Sequence, residues 1–184
     1  MTDLFFIKNK ESTMKTRVAR YQADRTNQKL YFSRIYCQLA EQAPKGQLQD
    51  AHIESALMHL YGGYLAFLQE IARYYHLTLT HPTLHDIESQ LAQRTQVSPE
   101  VLRLQNLLAH DFLAEIEQAW QQIMYKPVPK DTLALADIHA DNRLPIIDVM
   151  ANSAQPSVSV DMVRQWRLAL LETIDKLREG MVEF

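Results

Sequence analysis

The chain has 184 residues, 47% of them hydrophobic, a net charge of −3 and a single cysteine. This length suits one domain with a substantial core, while the lone Cys37 excludes an intramolecular disulfide and the short apolar runs exclude a membrane span. The N-terminal LFFI is too short for a signal-peptide core, so a cytoplasmic protein is expected, with eight Lys/Arg against four Asp/Glu in residues 1–42 and an acidic remainder.

Residues 1–19 show no sustained period and are expected to form a flexible extension ahead of a single domain over residues 20–184. A first helix is predicted from Asp24, its N-cap, to Glu41, with Tyr31, Phe32, Ile35 and Leu39 on its buried face. Pro44, Lys45 and Gly46 end it, and so short a connection favours an antiparallel hairpin with the next helix. Gln47–His76 carries the longest helical pattern of the chain: Ile53, Leu57, Leu60, Tyr64, Leu68, Ile71 and Tyr75 recur at spacings of three and four. Ala56, Tyr61 and Phe67 widen the stripe, so this helix is expected at the centre, contacted on more than one side. Gly62 and Gly63 in its middle cost about 1 kcal/mol each relative to alanine, which calls for a close backbone approach or a kink.

LTLTHPT, with Pro82, turns the chain. Thr83 then begins a short helix with Leu84, Ile87, Leu91 and Ala92 inward. Ser98 as cap and Pro99 at the first helical position start a fourth helix, predicted to run unbroken to Tyr125 through Val101, Leu104, Leu108, Phe112, Ile116, Ala119 and Ile123. Pro127 and Pro129 open an irregular segment, 126–158, whose Ile146, Ile147 and Val149 are expected to pack on the bundle. A final helix is predicted from Ser159 to Glu179, with Met162, Val163, Trp166, Leu170, Ile174 and Leu177 inward and Gly180 as its stop. The expected fold is an all-α antiparallel bundle of about five helices.

RTNQKLYF (Arg25 to Phe32), AHIESALMHLYG (Ala51 to Gly62), LPIIDVMA (Leu144 to Ala151) and the tail WRLALLETIDKLREG from Trp166 resemble a family of short gammaproteobacterial proteins whose function is unknown. The resemblance covers about Arg20 to Gly180 and implies no activity.

Three constellations are candidate sites. Arg103, Asn106 and His110 share a face of the fourth helix and resemble the arginine–histidine pattern of the HEPN ribonucleases, which implies metal-independent cleavage with the cation stabilising phosphorane charge and histidine moving a proton. Leu104 stands where those enzymes carry a polar residue, and the helix is acidic through Glu100, Asp111, Glu115 and Glu117. The segment Asp86 to Gln105 has the outline of a helix-turn-helix, but Ser98, Pro99 and Glu100 offer a recognition helix neither base-reading groups nor cations. His76, His81 and His85 with Asp86 are metal-ligand types, yet they surround a turn and read as solvated histidines. On the first helix, Arg25, Asn27, Gln28 and Tyr31 are candidates for lining a polar pocket. Each constellation is outweighed by a plain structural explanation. The sequence therefore points to a non-enzymatic protein-interaction or scaffold module without cofactor or metal, associating with a protein partner or with itself. The alternatives to that reading are a HEPN-like ribonuclease using Arg103 and His110 and a nucleic-acid binder using the basic first helix or the helix-turn-helix-like segment 86–105.

Overall fold

The computed structural model describes the backbone of residues 3–125 and 158–181 and the side chains of residues 23–125 and 158–181. Among the described residues there are six helices and no strand: α1 (Asp3–Gln42), α2 (Gln47–Tyr74), α3 (Leu84–Gln93), α4 (Pro99–His110), α5 (Phe112–Met124) and α6 (Val160–Met181). The predicted irregular segment 126–158 lies outside the described residues except for Val158.

α2 is the centre of an all-α bundle. Ile53, Leu57, Leu60, Tyr64, Leu68 and Ile71 are buried as their spacing predicts, joined by Ala56 and Phe67. α1, α5 and α6 all pack on it. The α1–α2 hairpin is antiparallel, because Thr26 meets Glu70 at one end and Gln49 Nε2 donates to the Ala40 carbonyl, 3.0 Å, at the other. α6 also runs antiparallel to α1, with Arg164 on Glu41 and Arg178 on Asn27.

The structure corrects the sequence reading at three places. α1 begins at Asp3, so Asp24 lies inside a helix and caps nothing. The buried face of α1 is also rotated: Thr26, Leu30, Ser33, Cys37 and Ala40 point inward, while Tyr31 and Leu39 are exposed. Small side chains win that face because the hairpin is tight. At Gly63 a Cβ would stand 2.9 Å from Leu30 Cδ2 and 3.8 Å from the Leu30 backbone nitrogen, so the glycine pair serves close approach rather than a kink. Finally, the predicted fourth helix is two. The extended Asp111 (φ −143°, ψ −170°) interrupts it, and the Asp111 carboxylate accepts from the Phe112 amide at 2.7 Å to start α5.

Smaller differences follow the same logic. α2 ends at Tyr74, because His76 adopts a left-handed φ of 53° and Arg94 donates to the carbonyls of Tyr75 and His76 at 3.0 and 3.4 Å. α6 continues past Gly180 to Met181. Thr83 caps α3 in a reciprocal pair with Asp86, and Ser98 caps α4 through Val101. Ala92 and Met162 face outward, whereas Leu84, Ile87, Leu91, Val163, Trp166, Leu170 and Ile174 are buried as expected.

Candidate functional site

On the outer side of the hairpin, Arg25, Lys29, Phe32 and Tyr36 recur along one stripe of α1, and the last three meet His52, His59 and Gly62 of α2. Tyr36 stacks on the His59 ring at 5.3 Å between centroids, Phe32 meets the same ring edge-on at 5.2 Å, and Tyr36 reaches His52 at 6.1 Å. Lys29 lays its stem over Gly62, with Cδ 3.4 Å and Cε 3.6 Å from where a Cβ would sit. Burial, then Lys29, then Arg25 hold the His59 imidazole below the ordinary histidine range, so it stays neutral. Burial and the neighbouring Arg25 likewise lower the Lys29 ammonium. The seam is therefore cationic and aromatic.

Beside it, α2 presents Leu48, Ala51, Ser55, Met58, Gly62, Leu65 and Gln69 at alternating spacings of three and four. All seven are uncharged, and each is exposed or half-buried, with Leu48, Met58 and Leu65 at 54%, 49% and 42% exposure.

Two buried polar assemblies fix the helices that carry these surfaces. Glu70 of α2, its side chain only 9% exposed, accepts from Arg178 Nε and Nη2 at 3.1 and 2.9 Å and from the buried Thr26 hydroxyl. Arg178 Nη1 donates onward to Asn27 at 3.0 Å, so α1, α2 and α6 are tied at one point. At the end of α2, Glu100 is 5% exposed and accepts from the Tyr75 and Ser98 hydroxyls, each at 2.6 Å. Burial first and the Glu100 hydrogen bond second push the Tyr75 phenol up to about 12. A buried carboxylate in the first turn of α4 also draws on the partial positive charge of that helix N-terminus.

The candidates named from sequence fall as follows. Arg103, Asn106 and His110 are exposed on the outer face of α4, and no hydrogen bond joins them. His110 ends α4, immediately before the Asp111 break. In the helix-turn-helix outline, the first turn of α4 points inward through Glu100 and Val101. His76, His81 and His85 are all exposed, His85 lies 4.0 Å from Glu88, and among the described residues no three His, Cys, Asp or Glu side chains converge as metal ligands. Arg25, Asn27, Gln28 and Tyr31 divide between two faces. Arg25 Nη1 donates to Gln28 at 2.8 Å on the seam side, Asn27 belongs to the Arg178 assembly, and the exposed Tyr31 carries the Arg34 guanidinium 5.0 Å from its ring centre. Sequence reasoning missed Lys29, Phe32, Tyr36 and His59 as a group, because only the pairing of α1 with α2 brings them together. The four-residue spacing of Arg25 and Lys29 was the available signal.

Cys37 is buried, and burial pushes its thiol up, against the pull of Arg164 and Arg167. No described helix is long and apolar enough to cross a membrane.

Residues 21–184 match the model of a family of unknown function (DUF6586). Neither the curated proteins nor the solved structures include a match to the chain.

Proposed function

The chain belongs to this family of unknown function, and on that footing we propose that it is a non-enzymatic protein-interaction module that receives a partner helix along the outer stripe of α2. The observation that carries this reading is the stripe from Leu48 to Gln69. Its seven positions follow the heptad spacing of a helix-packing seam, none is charged, and three large apolar side chains stand about half exposed. Ala51 and Ser55 supply shallow relief between the Leu48 and Met58 knobs, which an incoming helix interlocks with. The family match over residues 21–184 accords with one domain from residue 20 onward, and a single buried thiol accords with a cytoplasmic location.

A photo-crosslinking amino acid placed at Met58 and, separately, at Arg103 tests the reading in living cells. A discrete adduct from position 58 and none from position 103 is the expected result. A mass of twice the chain would identify the partner as a second copy. No adduct from position 58, or the same adducts from both positions, contradicts the proposal.

A further inference from the structure

We propose that Arg25, Lys29 and His59 form a binding site for a phosphate-type oxyanion, set in the seam between α1 and α2. The charge distribution supplies the first reason. Arg25 and Lys29 stand one turn apart on the same side of α1, where like charges repel, and among the described residues neither is paired with a carboxylate. Arg164 holds Glu41 and Asp161, Lys176 holds Glu172 and Arg178 holds Glu70, whereas Lys45, Arg73 and Arg103 are likewise without a carboxylate among the described residues, so the distinguishing feature here is two such cations one turn apart. Arg25 lowers the Lys29 ammonium, Lys29 and Arg25 in turn lower the His59 imidazole, and no carboxylate offsets either shift.

The second reason is the orientation of His59. Its Nδ1 is buried with no hydrogen-bond partner, packed where Phe32 and Tyr36 close on the ring. A bare lone pair costs less to bury than an unpaired N–H, so the neutral ring carries its proton on Nε2 and offers that N–H as a donor. Gly62, one turn beyond His59, provides the third reason. The Lys29 stem lies over this glycine and carries the ammonium to the same side of α2 as His59, Nζ standing 3.8 Å from the position a Cβ would take. Two cations of different reach and one neutral N–H donor suit a multiply charged tetrahedral anion, whose oxygens accept several charge-assisted bonds at once. His52 and Tyr36 complete the wall of the seam without adding negative charge at neutral pH.

The experiment is a histidine-ring NMR titration of the full chain against pH, in chloride buffer and again with millimolar inorganic pyrophosphate. The bound anion stabilises the imidazolium, so the His59 midpoint rises by about half a pH unit or more while that of exposed His110 stays put. Lys29→Gln, checked for an unchanged melting temperature, abolishes the rise. Arg25→Gln, at an exposed position, reduces it and serves if Lys29→Gln does not fold. A single-stranded oligonucleotide at equal phosphate concentration distinguishes the source: a strand is the ligand if it shifts His59 more than pyrophosphate does, and free phosphate if it shifts it less. An unmoved His59, equal movement of His59 and His110, or a full rise in both variants overturns the proposal.

Discussion

Neighbouring glycines on α2 carry opposite expectations. A Cβ at Gly62 meets only the Lys29 stem at ordinary contact distance, so Gly62→Ala gains about 1 kcal/mol of helix propensity and raises the urea midpoint. A Cβ at Gly63 meets the buried Leu30 at 2.9 and 3.2 Å, and the overpacking costs about 1–3 kcal/mol, which outweighs the same propensity gain. Gly63→Ala therefore lowers the midpoint. The Tyr75 hydroxyl is a second single-residue test. Tyr75→Phe leaves the buried Glu100 with only Ser98 as hydroxyl donor and is expected to cost about 1–3 kcal/mol in chemical denaturation. In the unaltered chain, alkaline absorbance titration should include a tyrosine ionisation near 12 that Tyr75→Phe removes, while burial also raises Tyr61 and Tyr64.

Among the elements, α6 depends on its pins to the hairpin. Arg178→Ala leaves Glu70 buried beside only a hydroxyl, and removing one partner of such a pair costs about 3–5 kcal/mol. Double replacement of Glu70 and Arg178 by Gln and Met is expected to cost less than Arg178→Ala alone, and calorimetric melting distinguishes the two. Element by element, the helices of strongest period were readable from sequence: α2, α3 and α6 bury nearly the residues their spacing names. α1 was misread because its inward face is Thr26, Ser33, Cys37 and Ala40, chosen for size rather than hydrophobicity. The α4–α5 break was missed because Phe112, Ile116 and Ala119 continue the period of Leu104 and Leu108 across it. The extended Asp111 backbone and the local bond from the Phe112 amide to its carboxylate mark the boundary.

At the scale of the molecule, the bundle was legible and the seam was not. Arg25 and Gln28 stood out as polar residues on a helix, but Lys29 and His59 lie thirty positions apart and acquire meaning only once α1 and α2 are antiparallel and in register. His59 also links the seam to overall stability. Its folded form resists protonation, so as pH falls below the ordinary histidine range the unfolded chain takes up a proton that the folded chain refuses. Stability contributed by neutral His59 is complete above that range and is lost as pH falls through it. His59→Gln should flatten this part of the melting temperature against pH. All of these surfaces rest on α2 being enclosed by α1, α5 and α6. Amide hydrogen exchange tests that enclosure most directly: amides from Leu57 to Ile71 should exchange only through global unfolding, more slowly than those of α3. Exchange of the Leu57–Ile71 amides as fast as those of Thr78 and Thr80, both exposed, would contradict it.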